Sequence, residues 1–222
     1  MPTAIAIDGP AGAGKSTIAR LAAKELGFIY VDTGALYRAI GLAAQRRGIA
    51  ASDKTAVIAL LDEITVELAF NENHEQIVLL DGENVSDFIR TPEISMMASA
   101  VSAIPEVRIY LLDLQRDMAR RNNVIMDGRD IGTVVLPDAQ IKIFLFASPE
   151  CRARRRYDQL IGDGMQVEFE DVLKDVVDRD YADSPRAVAP LKPAEGAIMV
   201  DTSWQSKEES VNQLIGIMKE HL

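Results

Sequence analysis

Apolar and polar positions follow two rhythms along this chain. Thr3–Asp8 (TAIAID) is a short apolar run that stops at a glycine-rich stretch, which predicts a buried strand. In Lys15–Leu26 the residues Ile18, Leu21, Ala22 and Leu26 recur at the spacing of one helix face, and Gly27 stands where a helix would close. Phe28–Val31 is apolar again. Strand, helix and strand over about 30 residues make a βαβ unit, whose connection is right-handed and whose strands are parallel. A helix is predicted from Ala35 to about Arg47, ending at Gly48.

The rhythm then shortens to a period of two. Ile64–Leu68 and part of Gln76–Leu80 alternate, with polar Asn71–Glu75 between them, as in an antiparallel hairpin, and Asp81-Gly82-Glu83-Asn84 is a further turn signal. Helical spacing resumes from Thr91-Pro92 and again over Pro105–Arg121, each with proline at its start. Asn123–Asp127, Ile141–Phe146 and Ala197–Val200 read as buried strands; Pro149–Leu160, Glu168–Tyr181 and Ser206–His221 read as helices. The expected class is α/β, a parallel sheet covered by helices, interrupted over roughly residues 63–95 by an inserted subdomain that contains antiparallel strands.

Composition narrows this picture. The 222 residues suit one domain spanning 1–222. A formal net charge of -10 argues against a nucleic-acid partner. Yet Arg outnumbers Lys by 16 to 8, and guanidinium groups grip phosphate in planar, bidentate fashion. An acidic chain that concentrates arginine suggests a small phosphorylated ligand. One cysteine, Cys151, excludes an intrachain disulfide, and no Cys/His spacing suggests zinc. No apolar run of about 18 residues and no secretory leader is expected, so the predicted location is cytoplasmic, with no membrane partner.

Gly9-Pro10-Ala11-Gly12-Ala13-Gly14-Lys15-Ser16, followed by Thr17, satisfies G-x-x-x-x-G-K-[ST] between a predicted strand and a predicted helix. The glycines let backbone N–H groups turn toward phosphate oxygens, and the helix start adds unpaired donors. Lys15 reaches β and γ phosphates, and the Ser16 hydroxyl suits Mg²⁺, so a nucleoside triphosphate with Mg²⁺ is the expected ligand. Asp127, at the end of NVIMD, would support the metal directly or through water. Asp8 orients either the loop or the metal shell.

The acceptor is read from later motifs. Thr33 and Arg38 follow the second strand and Arg129-Asp130 the third, all at the carboxyl ends where open α/β sheets bind ligands. Arg179, Asp183 and Arg186 lie in the polar stretch DRDYADSPRAVAPL. The two histidines, His74 in the hairpin turn and His221 near the end, are not placed to act as a base. A phosphate acceptor needs no base because its oxygen is already ionised, although Asp127 or Asp130 could serve an alcohol acceptor. The rival readings are a kinase for another small acceptor and a nucleotide-dependent switch; the second lacks the N-K-x-D segment that reads guanine.

GPAGAGKST, DTGALYR, DGENVSDFIRT, MDGRDIGTVVLPDA and DSPRAVAPL, in this order, resemble the bacterial cytidylate kinases from about Ala4 to Asp201. The resemblance implies a three-layer P-loop fold with a five-stranded parallel sheet, an enlarged nucleotide-monophosphate-binding insertion and a short lid, here matched by residues 152–165. It implies transfer of the γ-phosphate of Mg-ATP to CMP or dCMP, and a monomer. By position, Ser99, Arg108 and Asp130 match residues that read cytosine, and Arg38, Arg129 and Arg179 match those that hold the acceptor phosphate. Asp183 and Arg186 match positions near the ribose and phosphates, and Thr33 and Tyr37 match the acceptor pocket. Thr33 stands where the family commonly has serine. In the run Arg152, Arg154, Arg155, Arg156, one or two would clamp the transferring phosphate, with Arg155 and Arg156 preferred and the others left as surface arginines.

Overall fold

The computed structural model describes residues 2–72, 75–183 and 190–222, the side chains of residues 182 and 183 excepted. In chain order the elements are β1 (Ala4–Asp8), α1 (Lys15–Leu26), β2 (Ile29–Asp32), α2 (Thr33–Arg46), α3 (Lys54–Leu61), β3 (Val66–Phe70), β4 (Gln76–Leu80), β5 (Glu83–Asn84), α4 (Pro92–Val101), α5 (Pro105–Arg121), β6 (Val124–Gly128), β7 (Ile141–Phe146), α6 (Pro149–Gly162), α7 (Phe169–Asp183), β8 (Ile198–Asp201) and α8 (Lys207–His221). A turn of 3-10 helix covers Phe88–Arg90 and a turn of π-helix covers Ile131–Val135.

Among the described residues the strands form a five-stranded parallel sheet, ordered β2-β6-β1-β7-β8, and a three-stranded antiparallel sheet, ordered β3-β4-β5. The chain divides into two units, one formed by Ile29–Asn122 and the other by Thr3–Phe28 with Asn123–Leu222.

The second unit is organised by β1, whose five residues are all buried. A strand covered on both faces needs a continuous apolar run rather than alternation, which is what AIAI supplies. β1 pairs in parallel with β6 (Ala4 opposite Val124) and with β7 (Ile5 opposite Ile141), and β7 pairs with β8 (Ile143 opposite Ile198). Helix α1 ends as expected: Gly27 has φ 68° and its N–H returns to the Ala23 carbonyl. Ser206 and Glu209 form a reciprocal capping box at the start of α8. Helices α6 and α7 share a small apolar cluster of Ala153, Leu160 and Val172, extended by Tyr157 and Phe169, whose rings meet edge to face at 6.0 Å.

The first unit has its own core, running through Leu36, Ile40, Leu60, Val78, Ile89, Ile94, Val101 and Leu111. Here α2 and α4 approach closely because α2 carries Gly41, where an added Cβ would lie 3.0 Å from Met97 Cβ. Two local expectations change. Helix α2 starts at Thr33, two residues before the expected Ala35, because the Asp32 carboxylate accepts the Ala35 N–H and caps it. Asp81 and Gly82 alone make the turn, with φ 52° and 81°, and Glu83-Asn84 return to pair with Leu80 and Leu79.

Candidate active site

The phosphate-binding loop begins with a backbone only glycine can adopt. At Gly9, with φ 150°, a Cβ would fall 1.9 Å from the Leu145 carbonyl oxygen. Gly12 and Gly14 have φ 75° and 91°, so the loop winds before α1 starts. Lys15 is buried, and its Nζ donates to the Pro10 carbonyl at 2.8 Å across the loop. Burial first, then the neighbouring Arg129 and Arg179 cations, bring its pKa down from 10.5 to about 7, against the opposing pull of Asp127 and Asp8. Ser16 Oγ donates to Asp127 Oδ2 at 2.8 Å.

Asp8 ends β1 and accepts two main-chain donors, Ile131 N at 2.7 Å and Gly132 N at 2.8 Å. It therefore fixes the chain that follows Arg129 and Asp130. Burial still lifts its pKa to about 6, because those two bonds do not repay the lost hydration, and Asp130 adds repulsion. Gly132 belongs to this fit, since a Cβ there would meet Ala194 Cβ at 3.0 Å. Asp130 is buried. The second unit thus gathers Lys15, Ser16, Asp127, Arg129, Asp130 and Arg179 around one loop.

The arginines of α6 separate into four environments. Arg152 is 2 % exposed and is not the surface residue expected: it pairs with Asp180 of α7 and donates to Ala147 and Ala11 carbonyls. Arg154 lies over the Phe169 and Tyr157 rings, at 4.4 and 5.5 Å. Arg155 reaches the Thr202 carbonyl at 2.6 Å and the Ala13 carbonyl at 3.4 Å. Arg156 bonds the exposed Gln159 side chain at 3.0 Å.

The first unit holds the other candidates. Thr33 is buried as the first residue of α2. Arg38 meets the Asp32 carboxylate at 2.7 Å, and Arg90 lies 3.9 Å from the same oxygen. Gly34 leaves the room for this pair, since a Cβ there would stand 3.1 Å from Asp32 Oδ1 and 3.4 Å from Arg38 Nη1. The buried Nε of Arg38 has no hydrogen-bond partner among the described residues. Arg108 covers the Tyr37 ring at 5.3 Å and donates to the Ser102 carbonyl, while Ser102 Oγ donates to the Ser99 carbonyl. The Gln76 side chain, which sequence reasoning did not single out, accepts from Asp32 N at 2.8 Å and donates to Asp32 O at 3.1 Å. Asp183 ends α7 with its side chain outside the described set, and His74 and Arg186 lie outside the described residues.

Ser16 and Asp127 test the expectation of a metal. Together they offer hard oxygen donors, the type Mg²⁺ selects, at the foot of the loop. Among the described residues no group of three or more acidic, histidine or cysteine side chains converges as a metal site. Such a sparse protein set suits Mg²⁺, which keeps waters and takes phosphate oxygens from its nucleotide.

The profile of the family described as Cytidylate kinase matches residues 5–220. A cytidylate kinase of Carboxydothermus hydrogenoformans is 47% identical over 214 residues, covering 96% of each chain. That of Caldanaerobacter subterraneus is 51% identical over 95% of this chain and 92% of its own, and that of Mycobacterium leprae 49% over 97% and 95%. A solved structure of an uncharacterized protein from Eubacterium ventriosum covers 98% of each chain with a TM-score of 0.51 at 12% identity, a likeness of fold alone.

Proposed function

The chain belongs to the cytidylate kinase family, and on that premise we propose how its own residues carry out the reaction. The reaction moves the γ-phosphate of ATP to CMP or dCMP, leaving ADP and CDP or dCDP. The acceptor oxygen is an ionised phosphate, so catalysis rests on positioning and charge neutralisation rather than on a base.

The donor triphosphate lies along Gly9 to Thr17, wrapped by the main-chain N–H groups, with Lys15 on its β and γ phosphates. Lys15 supports this reading best: it is buried in the loop with its Nζ on the Pro10 carbonyl, and burial together with Arg129 and Arg179 lowers its pKa, so a phosphate oxygen is the partner that would hold its charge. Mg²⁺ would be held by Ser16, with Asp127 directly or through water, and when bound it draws charge from the phosphate oxygens. Arg129 and Arg179 hold the acceptor phosphate together with Arg38. Asp130 accepts from the cytosine amine, and Arg108 and Ser99 donate to the ring acceptors. Thr33 and Tyr37 line the acceptor pocket, and Asp183 and Arg186 serve the ribose and phosphates. Arg155 and Arg156, within the lid at 152–165, add positive charge at the transferring group and exclude water. Residues 63–95 act as the monophosphate-binding insertion. The protein works as a cytoplasmic monomer without a nucleic-acid partner; no single described helix is long and apolar enough to cross a membrane.

An ATP-coupled assay across CMP, dCMP, UMP and AMP tests the substrate choice. CMP and dCMP should turn over fastest, and a preference for AMP would sink the cytosine-reading roles.

A further inference from the structure

Among the described residues Arg152 is the largest of the fully buried side chains, and it is a cation. A guanidinium in that position has to be fully paired to be tolerated. Asp180 takes Nη1 at 2.9 Å and Nη2 at 2.5 Å, which accounts for the charge. Nε goes to the Ala147 carbonyl at 2.9 Å, just before α6. The remaining contact is of another kind. Nη1 also donates, at 3.1 Å, to the carbonyl of Ala11, 141 residues away in the middle of the phosphate-binding loop.

A trans peptide is planar, so its C=O and the following N–H point in opposite directions. Whatever holds the Ala11 carbonyl therefore also aims the Gly12 N–H. Gly12, at φ 75°, has no side chain to resist rotation of that peptide. The stem of Arg152 underlies the loop at the same place: a Cβ on Gly12 would meet Arg152 Cβ at 3.4 Å. The next alternate carbonyl, Ala13, is held in the same way by Thr202 Oγ1 at 3.3 Å and Arg155 Nη1 at 3.4 Å.

We infer that Arg152 is a positioning residue of the donor site: it grips the Ala11 carbonyl from outside the loop and so presents the Gly12 N–H to the nucleotide before the nucleotide arrives. Asp180 is the counter-charge that lets the arginine stay buried. The inference rests on residues 9–17 being the donor site. Its consequence is preorganisation: a donor already aimed costs no reorganisation when phosphate binds or when charge shifts during transfer.

The test uses two variants, calorimetric titration with ADP and with CMP, and the ¹⁵N–¹H resonance of Gly12. Asp180→Asn takes the counter-charge from a buried guanidinium, so stability in urea should fall and, as Arg152 leaves its seat, ADP affinity should fall with it. Arg152→Met combined with Asp180→Asn strands no buried charge but frees the Ala11 carbonyl. ADP affinity should then fall on the order of tenfold with CMP affinity little changed, and the Gly12 resonance should broaden or split. If the double variant does not fold, Arg152→Lys keeps a cation on Asp180 without the fork, and the same readouts apply. Wild-type ADP affinity with a single sharp Gly12 resonance in the freed variant overturns the inference. So does an equal loss of CMP affinity in that variant. A wild-type Gly12 resonance that ignores ADP overturns the donor-site reading itself.

Discussion

The loop of the second unit and the residues proposed for the acceptor in the first are built by different strategies. The loop is main chain: glycines at positive φ, a lysine tied to Pro10 O, and carbonyls held from behind. Its charges sit at protonation states that burial disfavours, Lys15 with pKa near 7 and Asp8 near 6. The first unit uses long side chains that already have partners, Arg38 on Asp32 and Arg108 on Tyr37 and the Ser102 carbonyl. A main-chain site is ready in advance and strained without its ligand; a side-chain site is relaxed without its ligand and must exchange partners to bind.

The sharpest way to break this contrast is Lys15→Ala. Only the donor side should suffer. Turnover should drop by roughly 10²–10³-fold and ADP affinity should fall with it, while CMP binding measured alone changes little. Equal loss of both affinities would mean that the two sites are not built separately.

The next effect is a stability profile in pH. Asp8 has an ordinary pKa of 3.8 and a folded value of about 6. Between those values the folded protein keeps a proton that the unfolded chain has released, so stability falls as pH rises through the window, by roughly 3 kcal/mol in total. Lys15 works in the opposite sense. From about 7 up to 10.5 the unfolded chain holds a proton that the folded protein has lost, so stability rises with pH there. The ligand-free protein should be least stable near pH 6 to 7. Urea unfolding at pH 4.5, 6.5 and 9 checks this, and Asp8→Asn should flatten the acid limb. Parallel profiles for the two proteins would show that Asp8 titrates as an ordinary carboxylate.

On the other side of the comparison, Arg38→Met should raise the KM for CMP by on the order of 10–100-fold and leave that for ATP within about twofold. Because Arg38 is already neutralised by Asp32, the variant should not reproduce the pH profile of the donor side.

The same contrast explains what was legible beforehand. Gly9–Thr17 is contiguous and its chemistry is in the backbone, so order along the chain was enough. The parallel strands are legible because burial on both faces demands uninterrupted apolar runs, as in AIAI of β1 and VIM of β6. Helix α3 went unread because KTAVIALL has no polar face to set a period; only Asp53, whose carboxylate caps Ala56 N, marked its start. Arg152 reads as a surface residue because a sequence displays its charge but not Asp180, which lies 28 residues on, or the Ala11 carbonyl. Gln76 carries no motif of its own, and Asp32, although it opens DTGALYR, shows nothing there of its contact with Gln76 across 44 residues.

That contact offers the finest test. Gln76, at the start of β4, uses its amide as a strand would use a peptide, accepting from Asp32 N and donating to Asp32 O. It thereby fixes the residue whose carboxylate caps α2 and holds Arg38. Gln76→Ala removes both bonds and leaves a partly buried peptide edge unpaired, at a cost of about 1–3 kcal/mol. The expected result is a KM for CMP raised by a fewfold, with kcat and the KM for ATP unchanged. Gln76→Glu should be worse than alanine, because its carboxylate keeps the bond from Asp32 N but sets a negative oxygen against the Asp32 carbonyl. If alanine and glutamate behave alike, Gln76 fills space there and does not position the acceptor arginine.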